Sequence, residues 1–135
     1  MKNVFKLSFP ILWMLCIIGG CSNPNHAEAP FIHSSIDKEF PIPQHAKLAE
    51  GKANNPMIEK YAKYQLKNIG GEQGLYPSPE YLNEIKKWGW TKEDQMGHLH
   101  VFKKGKKIIW LTIEKDEFTL SKVKHLIDKN PNNAK

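Results

Sequence analysis

In the middle of the chain, apolar residues recur at the spacing that places them on one side of a helix. These residues are Tyr81, Leu82, Ile85 and Trp88. Ser78 suits the N-cap because its hydroxyl can accept a backbone N–H, and Pro79 suits the first helical position. Gly89 suits a left-handed stop, past which Trp90 can fold back as an apolar contact. The pattern therefore predicts a helix over residues 79–88.

Other stretches alternate or are rich in β-branched and aromatic residues, which predicts strands. Residues 61–67 alternate between apolar positions and lysine or glutamine. Residues 98–102 and 107–113 flank a Lys-Lys-Gly-Lys turn and predict a hairpin, in which 108–111 is apolar on both faces and suits a central strand. The prolines of residues 40–43 fit only an edge. These elements indicate an antiparallel sheet.

The segment 118–127 fits two structures. Its first residues alternate as in a strand, whereas its leucines, valine and isoleucine fit a helical stripe, and we expect a strand followed by a short helix. Together the elements predict an α+β domain over residues 40–127, with a small antiparallel sheet of about four to five strands and one main helix packed on it. The polar tail, residues 128–135, is expected to fray.

The N-terminal segment has the three parts of a secretory signal. Lys2 and Lys6 give it a positive start, and residues 9–18 are apolar without a break. That stretch is shorter than the about 20 apolar residues that a membrane-spanning helix needs. Small residues follow, with Gly20 directly before Cys21. The segment is therefore expected to direct export and to be removed.

The run Ile18-Gly19-Gly20-Cys21 resembles the lipobox of bacterial lipoproteins. The resemblance implies that the Cys21 thiol receives a diacylglycerol, that a peptidase cuts between Gly20 and Cys21 to remove residues 1–20, and that the new amino group is open to acylation. Two acyl chains hold a protein on a membrane stably, whereas one does so only marginally. Two alternatives stay open: an ordinary signal peptide that releases a soluble protein, and an uncleaved anchor helix.

Residues 22–39 are polar at their start and carry two prolines, so they predict a flexible linker between the lipidated Cys21 and the domain. Phe31, Ile32 and Ile36 could contact the domain, which leaves the outer end of this linker open. A linker directly after the lipid lets a domain stand clear of the headgroups.

The order of elements is similar to that of small surface lipoproteins of low-GC Gram-positive (Bacillus-type) bacteria. It runs from an extended proline segment through a strand, a glycine loop and a helix ending in Gly-Trp to a hairpin. The residues that carry the likeness are 40–43, 70–76, 88–90 and 100–102. The likeness implies location and fold, and it implies no mechanism.

Charge bears on the class of partner. The formal net charge is +6, and all 20 basic residues are lysines. Arginine provides the planar fork that binds phosphate bidentately, so its absence argues against a nucleic-acid reader. The lysine excess predicts a solvated basic surface that could also attract anionic lipid or a wall polymer.

Two histidines raise the possibility of a metal site. His98 and His100 lie two apart, so both would share one face of a strand and could reach one ion. The available third ligands are His45, Glu93, Asp94 and Glu114. The alternative is a pair of strand histidines making ordinary hydrogen bonds. No cysteine follows Cys21, so the domain cannot build a cysteine-based zinc site or a disulfide.

Signals for catalysis are weak. The glycine loop 70–74 lacks the Gly-Lys-Ser/Thr of a phosphate loop and is expected to be a connection that needs positive φ. Ser34, Ser35 and Ser121 lack the surroundings of an activated nucleophile. Aromatic residues such as Trp110, beside lysines, could line a sugar or peptide groove or could simply build the core.

The sequence thus predicts a membrane-anchored surface lipoprotein with a non-catalytic accessory or binding domain. The alternatives are a metal-binding lipoprotein using His98 and His100, and a small envelope hydrolase. Expected partners are the membrane, through the lipid, and an envelope protein or an anionic wall polymer, but no nucleic acid. No cofactor is expected beyond the covalent lipid on Cys21.

Overall fold

The computed structural model describes residues 30–125, and in this range the chain forms eight strands and one helix. They are β1 (Phe31–His33), β2 (Pro41–Pro43), β3 (Lys47–Ala49), β4 (Ile58–Gln65), α1 (Pro79–Lys87), β5 (Thr91–Met96), β6 (Leu99–Lys104), β7 (Lys107–Ile113) and β8 (Glu117–Val123). Strands β1 and β2 form a two-stranded sheet. The others form a six-stranded sheet in the order β3-β4-β8-β7-β6-β5, with every neighbouring pair antiparallel.

The α+β class is confirmed, but the expected count of about four to five strands was wrong. Strands β1 and β3 have only three residues each. Strand β5 is an edge strand with five of its six residues exposed, so its sequence has no apolar alternation. Strand β7 lies between β6 and β8, which confirms the predicted central position. The proline segment is extended as predicted, in β2, but it pairs with β1 outside the main sheet.

Local signals in the sequence set both ends of the helix. The Ser78 hydroxyl oxygen accepts a hydrogen bond from the Tyr81 backbone N–H, with 3.2 Å between N and Oγ. At the other end Gly89 has a φ of +92°. The backbone N–H groups of Gly89 and Trp90 donate to the carbonyls of Lys86 and Ile85, at 2.9 and 3.2 Å. This is the Schellman arrangement, and it confirms the predicted stop, with Trp88 as the C-cap.

The core lies between one face of the six-stranded sheet and a layer made by α1 and the β1–β2 hairpin. Alternation along β7 sends Ile109, Leu111 and Ile113 into this core, and all three are fully buried. The opposite layer supplies Phe40, whose ring meets both Trp90 and Phe102 edge-on. It also supplies Tyr81, whose ring meets Phe118, and Ile85. Burying such side chains is the main force that stabilises a domain of this size.

The folded domain begins earlier than the sequence predicted. The linker was expected to extend to Glu39, but β1 lies within that range and pairs with β2. Ile36 and Asp37 are buried, with 4% and 7% of their surfaces exposed. The reason is long-range pairing with distant strands, which a polar local composition does not reveal. Residues 30–39 are therefore part of the domain.

The end of the chain keeps the predicted strand. Strand β8 spans Glu117–Val123, and the two described residues after it, Lys124 and His125, are not helical. The rest of the expected short helix lies outside the described residues, as do the tail 128–135 and residues 1–29, which hold the signal, Gly20 and Cys21. Helix α1, with nine residues, is too short to cross a membrane, and residues 30–125 contain no longer apolar helix that could.

Candidate functional site

The two faces of the six-stranded sheet have different surroundings. The face that carries Ile109 and Leu111 packs under α1 and the β1–β2 hairpin, and we call it the covered face. The alternate residues of the same strands, such as Ile108 and Trp110 of β7, lie on the opposite side, which we call the open face. Ile108 and Trp110 are only half-buried. A sheet with one packed and one solvated face usually carries polar residues outward, so these apolar side chains stand out.

The apolar residues of the open face form a groove of about 390 Å³ near the β6–β7 turn. Cross-strand pairing builds its floor, because Val101 lies opposite Trp110, and Ile108 lies between Lys103 and Val123. The lining residues are Met57, Val101, Lys103, Gly105, Lys106, Ile108, Trp110, Val123, Lys124 and His125. We call this set the lysine-rimmed groove. An exposed apolar patch with a polar rim is typical of an interaction site.

The rim of the groove carries positive charge alone. Its ionisable lining residues are Lys103, Lys106, Lys124 and His125, and the lining includes neither aspartate nor glutamate. The three lysines are exposed or partly exposed at the tips of the strands. Among residues 30–125, no carboxylate forms an ion pair with any of these lysines. The groove therefore presents an apolar floor beside three lysines that have no carboxylate partner among residues 30–125.

Lysines at the same end of the covered face have carboxylate partners within the chain. Lys122 and Lys107 lie 3.0 and 3.3 Å from Asp37 Oδ2. Lys104 lies 3.1 Å from Glu39 Oε1, and Lys107 also pairs with Glu39. These bonds attach the segment between β1 and β2 to the tips of β6, β7 and β8. These covered lysines thus form ion pairs within the fold, whereas Lys103, Lys106 and Lys124 of the groove rim form none with residues 30–125.

The Asp37 carboxylate is the buried member of that cluster. Burial alone raises the pKa of Asp37, but the Glu39 backbone N–H (2.9 Å), Lys122 and Lys107 together outweigh burial and leave the pKa lowered. The hydrogen bond to Glu39 is the main cause that raises the pKa of Lys107. Both shifts favour the charged forms of Asp37 and Lys107.

The predicted histidine pair is not arranged as a metal site. His100 is fully buried on the covered side, with its Nε2 3.0 Å from the Leu75 carbonyl oxygen and its ring edge-on to Tyr76. His98 is exposed in the turn that precedes β6. Among residues 30–125, no three histidine, cysteine, aspartate or glutamate side chains come together as a metal site, so no third ligand joins the pair.

His100 is nevertheless unusual. Its Nδ1 is buried and has no hydrogen-bond partner in the described part of the chain. Burial lowers the pKa of His100, the Leu75 carbonyl acts in the opposite direction, and Lys92 and His98 lower it further. The neutral ring is the form that fits this environment. His100 thereby connects β6 to the loop that precedes α1.

The glycine loop has a packing explanation. Gly71 and Gly74 have φ of +64° and +68°, which confirms the predicted connection with positive φ. A Cβ on Gly70 would lie 2.4 Å from the Glu114 carbonyl oxygen, so the loop closely approaches the β7–β8 turn. The Gly70 N–H donates to the Lys115 carbonyl at 3.3 Å. The loop is therefore held against the protein and is not arranged around a phosphate.

The candidate serines also have structural contacts. The Ser34 hydroxyl donates to the Asp37 carbonyl oxygen at 2.8 Å, and the Ser35 hydroxyl lies 2.7 Å from the Tyr64 hydroxyl. Ser121 lies beside Trp110 in the sheet register. None of these contacts supplies the histidine base that an activated serine needs.

Sequence reasoning named Trp110 as a possible groove residue but missed the rim. Lys103 and Lys106 were assigned only to a turn, and Lys124 to an expected helix. The available signal was the alternation around the turn, which places Val101 and Lys103 on one face with Ile108 and Trp110. No family model matches this chain, and no curated protein and no solved structure matches it.

Proposed function

We propose that this protein is a non-catalytic binding domain, anchored by lipid on Cys21 to the outer face of the cytoplasmic membrane. The binding role is supported by the difference between the two faces of the six-stranded sheet. One face is packed, and the other presents the lysine-rimmed groove around Trp110. An apolar floor of this kind costs free energy in water, which burial against a partner recovers.

The chemistry of the groove suits binding better than catalysis. Tryptophan offers a large rigid surface for contact, and lysine can add charge and cation–π attraction around it. The groove lining carries no carboxylate, and its one histidine, His125, lies on the rim. General acid–base catalysis needs a positioned group of suitable pKa beside the reacting atoms. The hydrolase alternative therefore draws no support from this surface.

The metal alternative is not carried into the proposal. His100 directs Nε2 to a backbone carbonyl, and the four candidate third ligands do not join it in the described range. A zinc site needs at least three protein ligands around one ion. The lipid on Cys21 remains the one non-protein group in the proposal.

The anchor is tested by replacing the cysteine. Cys21→Ala is expected to abolish labelling with radioactive palmitate and to leave the precursor uncut between Gly20 and the new residue. Cys16→Ala, which removes the other cysteine of the signal, is the matched control and should keep the label. Persistent palmitate labelling of the Cys21→Ala protein would contradict the anchor. Release of an unlabelled, cleaved protein from unaltered cells would favour an ordinary signal peptide.

A further inference from the structure

We infer that the lysine-rimmed groove binds an acidic segment of another envelope protein, with an apolar side chain of that segment seated against Trp110. This inference rests on the proposed function, because it takes the domain to be anchored at Cys21. It goes further by naming the chemistry of the partner and the direction in which the open face points.

The charge of the groove rim calls for an acidic partner. On the covered face, Asp37 and Glu39 neutralise the lysines at the tips of β6, β7 and β8. On the open face, a similar set of lysines surrounds an apolar floor and has no carboxylate partner within residues 30–125. Carboxylates from outside would complete the open set as Asp37 and Glu39 complete the covered one. Complementary potential of this kind steers association and fixes register.

The apolar floor of the groove calls for an apolar side chain in the partner. Val101, Ile108 and Trp110, which are partly exposed, offer apolar surface that charge alone does not satisfy. A polyanion such as a wall polymer carries charge but brings little apolar surface to this floor. A protein segment that combines aspartate or glutamate with an aliphatic or aromatic side chain fills both requirements. Anchors of that type in desolvated pockets carry most of the energy of protein interfaces.

The contacts of Pro30 and Phe31 show on which side the chain enters the domain. Phe31 stacks on Tyr81 of α1, with 5.7 Å between ring centroids. Pro30 borders a surface depression with Glu80 and Asn83 of the same helix. The chain therefore enters the domain on the covered side. The open face lies on the opposite side of the sheet.

The side on which the chain enters then favours one direction for the open face. Nine residue steps separate Cys21 from Pro30, and at full extension they reach about 30 Å. To lay the open face on the bilayer, this length would have to pass around the sheet and the layer packed on it, which are about 10 Å apart. The shortest path keeps the covered side near the lipid. The open face then points into the envelope, where protein partners are available.

Other occupants fit less well. Two copies of the groove would bring two cationic rims together, which repel. Residues 126–135 contain one aspartate and two lysines, so their side chains carry more positive than negative charge and complement the rim poorly. A bilayer would reach the open face only if the tether took the longer path around the sheet.

The test is site-specific photo-crosslinking of the full-length protein on intact cells of its host. A benzophenone amino acid replaces Met57, which lines the groove, or Met96, an exposed methionine of edge strand β5 outside it. We expect the Met57 position to crosslink a protein segment in which acidic residues outnumber basic ones and flank an apolar residue. The Met96 position should give at least about tenfold less of that product, because the anchor seats in the groove.

Substitutions that reverse the charge of the rim lysines test whether these charges contribute to binding. Lys103→Glu/Lys106→Glu/Lys124→Glu should reduce the Met57 crosslink by about tenfold, the combined effect of three exposed charge pairs. The control Lys38→Glu/Lys52→Glu/Lys67→Glu makes the same change in net charge at exposed lysines outside the groove and should leave the crosslink within about twofold.

Each contrary outcome overturns the inference. These outcomes are a crosslink to phospholipid, to a second copy or to residues 126–135 of the same chain. A product equal at both positions, or one insensitive to the groove charges, also overturns it. Palmitate labelling of the same cells separates the two proposals. Palmitate labelling without the Met57 crosslink would contradict only the acidic partner. The Met57 crosslink without palmitate labelling would contradict only the lipid anchor.

Discussion

The two lysine clusters at one end of the sheet differ in what neutralises them. Lys104, Lys107 and Lys122 reach Asp37 and Glu39 on the covered face. The lysines of the groove rim, on the open face, have no such partners among the described residues. Alternation along β6 sends Lys103 and Lys104 to opposite faces, so residues 103–107 contribute lysines to both clusters. Lys122 of β8 and Lys124, which follows β8, complete the two sets. The same residue type thus stabilises the fold on one side and is available to a partner on the other.

The largest expected effect is a difference in stability loss between alanine substitutions at two adjacent isoleucines, one on each face of the sheet. Ile109→Ala should lower the free energy of unfolding by about 2–5 kcal/mol, because the side chain is fully buried and its loss leaves a cavity. Ile108→Ala, on the open face, should cost about 1 kcal/mol or less because Ile108 is only half-buried. Urea unfolding followed by circular dichroism measures both. Equal losses would mean that the open face is packed as well.

The next effect concerns the covered cluster. Asp37→Asn should cost about 1–3 kcal/mol, since it leaves Lys107 and Lys122 beside a buried neutral amide. Lys103→Met on the groove rim should change the free energy of unfolding by no more than about 0.5 kcal/mol.

The stability that Asp37 contributes should depend on pH, because its pKa is lowered in the folded protein. This stability is present above the ordinary pKa of 3.8 and is lost as the pH falls through the lower pKa of the folded protein.

The pH dependence gives a direct check on Asp37. The difference in unfolding free energy between the native protein and Asp37→Asn should be constant from neutral pH down to about pH 5 and should shrink in more acidic solution. Urea titrations at a series of pH values measure this difference. A difference that grows on acidification would contradict the assignment of a charged Asp37.

The lowered pKa of His100 predicts a second dependence of stability on pH, in less acidic solution. Burial lowers its pKa below the ordinary 6.5, so the unfolded chain takes up a proton below about pH 6.5 while the folded chain does not. Stability should therefore fall as pH decreases from that value and level off below the folded pKa. His100→Gln should remove this slope, whereas the exposed control His45→Gln, which is not among the groups that shift the pKa of His100, should keep it. An unchanged slope in His100→Gln would assign the titration elsewhere.

The smallest expected effect lies at the far end of the open face. Lys63 and Glu117 form an ion pair there, with 2.7 Å between Nζ and Oε1, and both side chains are partly exposed. Glu117→Gln should cost about 0.5 kcal/mol because solvent screens such pairs. A loss that is measurable in low salt and absent in high salt would agree with this. A loss as large as that of Asp37→Asn would erase the contrast between the faces.

The sequence predicted the elements whose signals are local. The cap at Ser78, the stop at Gly89 and the contact of Trp90 all come from residues close together in the chain, and helix α1 was correctly placed. The β6–β7 hairpin followed from alternation on either side of Gly105. Strand β5 was missed because an exposed edge strand does not need apolar alternation.

The site depended on pairing over long distances, which local patterns do not contain. Residues 31–39 were assigned to a linker because Asp37 finds its partners, Lys107 and Lys122, far along the chain. His98 and His100 were placed on one strand face, but β6 begins after His98 and buries His100. The groove rim could be assembled only once the register joined β6, β7 and β8. Cys21 lies outside the described residues, so its lipidation stays a prediction.

The most direct test of the open face as a binding surface is amine labelling of lysines, read by mass spectrometry, on intact cells and on the purified protein. In the purified protein, Lys103, Lys106 and Lys124 should react faster than Lys104, Lys107 and Lys122, whose amines are held in ion pairs. On cells, the first set should become protected while exposed control lysines such as Lys52 and Lys67 keep their reactivity. If the rim lysines react on cells as fast as they do in the purified protein, the open face is not occupied and the account is contradicted.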